Sequence, residues 1–410
     1  MLIGAATIDI TPDRPICLGS ARPPGPFTAI ADRLEANLLC LPSAGGPVLL
    51  VSLDLLYPGD RLRRGLMARL GEAFADARLF LCASHTHSAP MTCDGMPGLG
   101  EPDHAYVDWL ADRIAAVVPA LTTEAVAVAA ERPCTLAMNR RLRRFIIDHR
   151  GVGRRVAMAP NPDGPRDDVL RMLRFESADG RPHAIIWNYA CHPNAYPVPH
   201  AVSADYPGVV RSRLRDAYGP IPVLFLQGFS GDIRPPFVTA PDSSFRRISQ
   251  WLRGPRFRRP SLAEWQTWAG EIAAAAAAAA RERSVRVAGS DVAVRRWPID
   301  GVYSPAQHPA SDLTWHLIDG NEWTILGVNA EPVVEYQALV QQRFPGALLL
   351  AAGCIDEPRG YLPTDRMLGE GGYEVEGFRK PFGFSARFSR SLESRVITTI
   401  GGSRHRAGHA

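Results

Sequence analysis

Three histidines stand in positions from which they could hold one metal ion. His85 and His87 are two residues apart, and in an extended segment such residues point to the same side of the chain. His192 lies much further along the sequence and is followed by a proline. Imidazole nitrogen is a common ligand of zinc. A His-x-His pair alone is weak evidence, because many such pairs are ordinary surface histidines, so the prediction depends on the other candidate ligands.

Each candidate ligand follows an apolar run of the kind that forms a buried strand. The loops that follow the strands of an open α/β sheet converge at the carboxyl edge of the sheet, where ligands bind. We therefore expect these side chains to meet although they are far apart in the sequence. The predicted strands and the ligands that follow them are 78–83 before His85 and His87, 181–190 before His192, and 323–328 before Glu331.

The remaining pattern is an alternation of strands and helices, which predicts an α/β fold. Further strands are predicted at 48–56, 221–226 and 347–352, and helices at 61–77, 103–121, 207–218, 261–283 and 332–344. Residues 235–260 are rich in Pro, Arg and Ser and are predicted to form a long loop or lid. The last ten residues, 401–410, are predicted to be a disordered tail.

The composition of the 410 residues is that of an ordinary globular protein, with 46% hydrophobic and 21% charged residues. No apolar run is long enough to predict a membrane-spanning helix. Net charge is +4, too small by itself to indicate a nucleic-acid partner. The seven cysteines are scattered and odd in number, and the first residues do not read as a signal peptide, so we expect free thiols and a cytoplasmic location.

Short motifs surround the candidate residues. In chain order they are GAATIDITP (4–12), ASHTHSAP (83–90), NR (139–140), NYACHP (188–193), SADYPG (203–208), QGFSGDI (227–233), NAEP (329–332) and GYLPT (360–364). In these motifs and their order the chain resembles the N-terminal catalytic domain of the neutral/alkaline non-lysosomal ceramidases, over roughly residues 1–380. The resemblance implies one ceramidase-like domain over residues 1–400, with mixed β-sheets packed between helices in an α/β/β/α arrangement.

Carried over motif by motif, the resemblance implies a zinc site. The ligands would be His85, His192, Glu331 and Tyr361, and Tyr361 would also help to stabilise the negative charge that develops on the substrate. His87 would lie beside the metal rather than on it, where it would contact the substrate or relay a proton. The alternative for Tyr361 is an ordinary core tyrosine, because a phenol loses its proton only near pH 10 unless a cation lowers its pKa.

Four further polar residues belong to the same motifs. Asn139 and Arg140 would shape the pocket. Arg140 would act as a catalytic residue, and Asn139 would bind the substrate. Asp205 and Asp232 follow turns that contain small residues, and we interpret them as groups that orient the histidines or contact the substrate, with Asp205 as a candidate general acid or base. The alternative is that both carboxylates only cap turns.

The chain departs from the ceramidase pattern in two places. The ceramidases carry a C-terminal immunoglobulin-like domain, whereas this chain ends soon after the last motif, which suggests a short form. Where the ceramidases usually have a serine before a proline, this chain has Arg234 before Pro235. The planar guanidinium favours a substrate that carries a carboxylate or a phosphate, so we predict that Arg234 binds substrate.

The sequence therefore predicts a zinc-dependent hydrolase that cleaves the amide bond of a small N-acyl compound with activated water. A small soluble substrate is at least as consistent with the sequence as ceramide, because no membrane-seeking helix is apparent. Two alternatives stay open. One is a metal-dependent esterase or other acyl hydrolase, and the other is a non-catalytic binding protein on the same fold.

Overall fold

The computed structural model describes residues 1–20, 23–148, 151–240, 254–282, 285–287, 291–303 and 313–402. Much of the predicted loop at 235–260 (residues 241–253) and of the predicted tail at 401–410 (residues 403–410) lies outside these ranges. The α-helices are α1 (Asp60–Leu70), α2 (His104–Ala115), α3 (Asp205–Tyr218), α4 (Leu262–Arg281), α5 (Glu335–Gln341), α6 (Asp365–Glu370) and α7 (Leu392–Thr398).

The strands are numbered in chain order. They are β1 (Leu2–Asp9), β2 (Ala29–Ile30), β3 (Glu35–Leu41), β4 (Val48–Leu53), β5 (Leu79–Ala83), β6 (Thr123–Glu124), β7 (Val126–Pro133), β8 (Met138–Asp148), β9 (Gly151–Asn161), β10 (Val169–Glu176) and β11 (Pro182–Tyr189). They continue with β12 (Ala201–Val202), β13 (Val223–Gln227), β14 (Ile233–Arg234), β15 (Val285–Val287), β16 (Ala293–Ile299), β17 (Leu313–Asp319), β18 (Trp323–Val328), β19 (Glu331–Pro332), β20 (Leu348–Ala352) and β21 (Tyr361–Leu362).

Three larger sheets are mixed, as predicted. Two have five strands, in the orders β5-β4-β3-β1-β6 and β13-β11-β10-β7-β15, and one has four strands, in the order β16-β17-β18-β20. Each contains one parallel pair, namely β4 with β5, β11 with β13 and β18 with β20. In β5, β13 and β20 every residue is buried, which is why these strands read as continuous apolar runs in the sequence.

The sheets are stacked between helices, which confirms the predicted α/β/β/α arrangement. One hydrophobic core joins the facing sides of the sheets through residues such as Leu50, Leu173 and Ile325. The outer face of the first five-stranded sheet is covered by α1 and α2, and the outer face of the second by α3 and α4. Burial of these apolar faces on both sides of each sheet supplies the main stabilisation of the fold.

Two helices end earlier than predicted, each for a local reason. α1 ends at Leu70 instead of residue 77, because Gly71 adopts a left-handed backbone conformation with φ of 64°. α2 ends at Ala115 instead of residue 121, because Pro119 has no N–H for the helix and its ring would clash with the carbonyl of Ala115.

The alanine-rich helix α4 begins where the sequence predicts it. Ser261 and Glu264 form a capping box at its start, in which each side chain accepts a hydrogen bond from the backbone of the other residue. Its buried face includes Trp265, Trp268 and Ile272. Neither α4 nor any other helix in the described ranges has the length and apolarity required to cross a membrane.

Candidate metal centre

The carboxyl ends of the three parallel strand pairs converge on one point. His85 follows β5, His192 follows β11, and Glu331 follows β18. The Nε2 atoms of His85 and His192 lie 3.5 Å and 3.1 Å from Oε2 of Glu331, and the two imidazole centroids are 4.8 Å apart. All three side chains are buried. The three strand ends that carry ligand-type residues in the sequence therefore do meet.

Backbone carbonyls fix the orientation of two of the imidazoles. Nδ1 of His85 lies 3.0 Å from the carbonyl oxygen of Leu56, and Nδ1 of His192 lies 2.9 Å from that of Ile233. A carbonyl oxygen only accepts hydrogen bonds, so both Nδ1 atoms must carry the proton. Each Nε2 atom is therefore left with a free lone pair directed at Glu331, which is the tautomer that a metal ligand requires.

The sequence predicts that His85 and His87 point to the same side because the segment is extended, and this explanation is wrong. His85 is not extended, because its φ of 66° places it in the left-handed region. A non-glycine residue pays a conformational cost there and keeps that conformation only where its surroundings enforce it. Nevertheless the ligand atoms of His85, His87 and His192 lie within 4.8 Å of one another.

Glu331 and Tyr361 are brought together by a short parallel pairing. β19 pairs with β21 so that Glu331 lies opposite Tyr361. The second carboxylate oxygen of Glu331, Oε1, accepts a hydrogen bond from the hydroxyl of Tyr57. The hydroxyl of Tyr361 accepts a hydrogen bond of 3.3 Å from Nη2 of Arg140. The carboxylate is thus held on one side by a phenol while its other oxygen faces the histidines.

His87 lies at the edge of this cluster. Its ring centroid is 5.1 Å from that of His85 and 6.0 Å from that of His192. Its Nδ1 atom is joined to the hydroxyl of Ser20 by a hydrogen bond of 2.7 Å, and Ser20 itself has a left-handed backbone with φ of 61°. His87 is therefore anchored by a side chain, unlike the other two imidazoles.

Arg140 is part of a buried network of charges. It donates hydrogen bonds to Oε1 of Glu374 at 2.9 Å and to the carbonyl of Gly231 at 2.6 Å. Arg141 donates to the other carboxylate oxygen of Glu374 at 2.6 Å. This pairing with Glu374 compensates the burial of both guanidinium groups. It also holds the Arg140 guanidinium against the hydroxyl of Tyr361.

Asn139 and Asp232 bind each other and the surrounding backbone. Nδ2 of Asn139 donates to Oδ2 of Asp232 at 2.8 Å, and Oδ1 of Asp232 accepts from the backbone N–H of Val334 at 2.8 Å. Neither side chain has a hydrogen bond to the histidines. The histidine-orienting role that the sequence suggested for Asp232 belongs instead to the carbonyls of Leu56 and Ile233.

Asp205 is likewise bonded away from the histidines. Its two carboxylate oxygens accept hydrogen bonds from the backbone N–H groups of Ala195, Tyr196 and Tyr206 and from Nε1 of Trp265. Burial raises the pKa of Asp205 to about 6. The carboxylate therefore joins the loop after His192 to α3 and α4, which matches the turn-capping alternative for this residue.

Burial dominates the acid–base properties of the cluster. It lowers the pKa of His192 to about 4, and burial together with the charges of His85 and His192 lowers the pKa of His87 well below its ordinary value. Burial alone would raise the pKa of Glu331, but His85 and His192 outweigh it and hold that pKa well below the ordinary range. At neutral pH the imidazoles of His87 and His192 are therefore unprotonated, and Glu331 is an ionised carboxylate.

The donor set suits a divalent metal ion. The Nε2 atoms of His85 and His87 are buried and have no hydrogen-bond partner among the described residues, an unusual cost unless a ligand satisfies them. Nitrogen and carboxylate donors around one point are a typical zinc set. The ion could be held by the three imidazoles, or by His85 and His192 together with Glu331. Both sets share His85 and His192.

Two solved structures with the same fold are ceramidases. A ceramidase complexed with C2 matches 98% of this chain and 74% of its own, with a TM-score of 0.69 and 14% identity. The neutral ceramidase from Pseudomonas aeruginosa matches 97% of this chain and 73% of its own, with a TM-score of 0.68 and 14% identity. The chain has the neutral ceramidase fold. No family model matches the sequence, and no curated protein does.

On this ceramidase fold, three residues beside the cluster were missed by the sequence reasoning. Tyr57 follows strand β4 and could have been found by the same strand-end argument as the histidines. Ser20 and Glu374 follow no predicted strand. Glu374 lies in one turn of irregular helix, Tyr373–Gly377, and only its contacts with Arg140 and Arg141 reveal it.

The lowered pKa values predict how the metal-free protein titrates. His192, with a pKa of about 4, should stay unprotonated from pH 8 down to about pH 5.5, and His87 should titrate well below its ordinary value, because burial disfavours the charged imidazolium. Heteronuclear NMR of the imidazole nitrogens, with His87→Gln and His192→Gln for assignment, measures this directly. In urea both should titrate near pH 6.5. A midpoint near 6.5 in the folded protein would contradict the prediction.

Replacing Asp205 with asparagine should destabilise the fold. An amide has one acceptor oxygen instead of two, so about two of the four buried donors lose their partner, at a cost of roughly 1–3 kcal/mol each. Urea unfolding should show a lower free energy of unfolding, while the folded variant keeps its metal affinity. Unchanged stability together with loss of metal would show that the bonding to the loop is not the role of Asp205.

Proposed function

We propose that the protein is a zinc-dependent hydrolase that cleaves the amide bond of an N-acyl compound. The observation that carries the proposal is the convergence of His85, His192 and Glu331 at the carboxyl ends of three parallel strand pairs. The fold supports it, because the structural neighbours are named for the cleavage of ceramide, an N-acyl compound. Fold alone does not define activity, so the local chemistry of the site has to support the reaction.

His85, His192, Glu331 and Tyr361 are the residues that we propose hold the zinc ion. When bound, zinc would polarise the carbonyl of the substrate and lower the pKa of water toward 7. Of the four proposed ligands, Tyr361 depends most on the metal to lose its proton, because burial and Glu331 raise the pKa of its phenol well above the ordinary value. A nearby dication opposes that shift.

The chain supplies a donor for the negative charge that develops on the substrate oxygen. Arg140 holds the hydroxyl of Tyr361 in place, and Arg140 itself is held by Glu374. Donors that are already oriented stabilise a developing oxyanion without reorganising during the reaction. We propose that Arg140 serves this purpose, and that Tyr361 shares it only while its hydroxyl keeps its proton, because a zinc-bound phenolate has none to donate.

His87 is the proposed proton carrier. It is neutral at rest, since its pKa lies well below the ordinary value, and its Nε2 atom is buried without a hydrogen-bond partner. A neutral imidazole can take the proton from the attacking water and deliver it to the departing amine, which leaves poorly as an anion. The hydrogen bond from Nδ1 to Ser20 would keep the ring in position.

The test measures the hydrolysis of matched substrates by protein samples of known zinc content. Zinc-depleted and zinc-reconstituted protein are given pairs of N-acyl and O-acyl compounds with the same acyl chain. The proposal expects amide hydrolysis that depends on zinc. Hydrolysis of the esters alone would establish the acyl-esterase alternative. Stoichiometric zinc with no turnover of any acyl compound would establish the non-catalytic binding protein.

A further inference from the structure

We infer that the cleft leading to His87 contains an anion-binding site at Arg234, and that the N-acyl substrate carries a carboxylate. This rests on the proposed function and adds the substrate class to it. Arg234 is the second residue of β14. The preceding residue, Ile233, accepts the hydrogen bonds of the His192 backbone and ring, so Arg234 lies one residue from the support of a proposed metal ligand.

Among the residues that the structure describes, the guanidinium of Arg234 contacts an aromatic ring and has no counter-ion. Its plane lies over the ring of Phe257, with 4.5 Å between Cζ and the ring centroid. Its Nε atom is buried and has no hydrogen-bond partner. Within the described part of the chain, no carboxylate contributes to its electrostatic environment. By contrast, Arg258 in the same cavity is paired with Glu264.

The uncompensated charge makes this position suited to an anionic ligand. Burial, and then repulsion from Arg140, lowers the pKa of Arg234 to about 10, which still leaves the group charged at neutral pH. A partly buried charge that has no partner among the described residues is costly to the folded state. A carboxylate would accept two parallel hydrogen bonds from the planar guanidinium and relieve that cost.

The cavity next to Arg234 lies directly beside the cavity next to His87. One cavity, of about 310 Å³, is lined by Arg234 and Phe257. A second, of about 210 Å³, is lined by Ser20 and His87. Three residues line both cavities, namely Asn194, Tyr196 and Arg259. A small molecule could therefore place an amide beside His87 and a carboxylate beside Arg234.

Two of the shared residues contribute polar groups that could contact a bound molecule. Arg259 is exposed and contributes a second positive charge between the two cavities. Oδ1 of Asn194 is buried and lacks a hydrogen-bond donor, so it can accept an N–H or O–H from a bound molecule. The cleft thus offers cationic groups at one end and an unsatisfied acceptor near the middle.

Amides that carry one eight-carbon chain, on either the acyl or the amine side, test the inference. N-octanoylglycine carries the carboxylate on the amine side, and N-octylsuccinamate carries it on the acyl side. The primary amide of each is its neutral counterpart, and N-octanoyl-aminomethylphosphonate tests phosphate-like anions. Affinity for the full-length protein is measured by calorimetry, and for any probe that is hydrolysed the comparison uses kcat/KM.

The wild-type protein should prefer at least one carboxylate over its neutral counterpart by about tenfold to a hundredfold, as a charge-assisted hydrogen bond provides. Arg234→Met should reduce the preference to within about twofold, and Arg234→Lys, which keeps the charge without the fork, should keep part of it. The control Arg69→Gln removes an arginine that is paired with Asp112 and lines neither cavity, so it should leave the preference intact. Circular dichroism and thermal unfolding check that each variant is folded.

The outcomes separate this inference from the proposed hydrolase function. Equal affinity for charged and neutral probes, no detectable binding of either carboxylate at millimolar concentration, or an unchanged preference in Arg234→Met would overturn the anion site. A stronger preference for the phosphonate would replace carboxylate with phosphate as the substrate group. Carboxylate binding that depends on Arg234, without hydrolysis of any amide, would keep the anion site and reject the hydrolase.

Discussion

Glu331→Gln is expected to abolish both zinc binding and turnover. Oε2 of Glu331 is the atom on which the Nε2 atoms of His85 and His192 converge. An amide in its place has no negative charge and can present an N–H to lone pairs that the metal requires. We expect zinc affinity to fall by more than the roughly 10- to 100-fold typical of supporting residues. We expect kcat/KM to fall at least about 1000-fold, roughly 4 kcal/mol of barrier.

Metal analysis after dialysis against a weak chelator measures the loss of zinc affinity. Hydrolysis of the best N-acyl substrate measures the loss of kcat/KM. The control is Glu124→Gln, which alters an exposed glutamate of the short strand β6. The hydroxyl of Tyr57 can still donate to the amide oxygen of the variant, so the metal-free fold should be retained. Full zinc occupancy with normal turnover in Glu331→Gln would contradict the proposed ligand set.

His87→Gln should separate metal binding from catalysis. His87 lies further from the other imidazoles than they lie from each other, and its Nδ1 atom is held by Ser20 and not by a backbone carbonyl. We therefore expect the variant to keep its zinc and to lose about 100- to 10,000-fold in kcat, the usual range for general acid–base catalysis. Loss of zinc would instead identify His87 as a ligand.

Two further variants sharpen the His87 comparison. Ser20→Ala removes the hydrogen bond to Nδ1 but keeps the imidazole, so its loss of kcat should be smaller than that of His87→Gln. His104→Gln changes an exposed histidine paired with Asp94 and should match the wild-type protein. If Ser20→Ala loses as much activity as His87→Gln while keeping its zinc, Ser20 has a direct part in the chemistry.

The parallel strands that carry the site could be predicted from the sequence, and the reason is physical. Strands buried on both faces appear as uninterrupted apolar runs, so the prediction for β18 at residues 323–328 has the correct bounds. Those for β5 and β20 begin one residue too early, and that for β11 is one residue too long at each end. Because the ligands follow these strands, the meeting of His85, His192 and Glu331 followed from the same pattern.

The antiparallel ribbon of β8 and β9 was not predicted. These strands carry many arginines, and much of β9 is at least partly exposed, so no apolar run marks them. Their role at the site is nevertheless large, because β8 contains Asn139, Arg140 and Arg141. The partner of the two arginines, Glu374, is more than two hundred residues away in the sequence. Local patterns do not contain that information.

The backbone conformation of several site residues could not be predicted from the sequence either. The left-handed conformations of Ser20, His85 and Asp205 depend on tertiary contacts, since none of these residues prefers them. The hydrogen-bond partners of Asp205 likewise come from three separate segments. Tertiary packing therefore determines whether a carboxylate caps a turn or bonds to a catalytic histidine. The spacing of residues along the chain does not show which of the two occurs.

The most direct test of the central claim is the position of the bound metal. Crystals of the zinc-reconstituted protein, with diffraction measured on both sides of the zinc absorption edge, give an anomalous difference map that locates the ion. We predict one strong peak about 2.0–2.2 Å from Nε2 of His85, Nε2 of His192 and a carboxylate oxygen of Glu331. A peak elsewhere, or no peak at full zinc loading, would contradict the account.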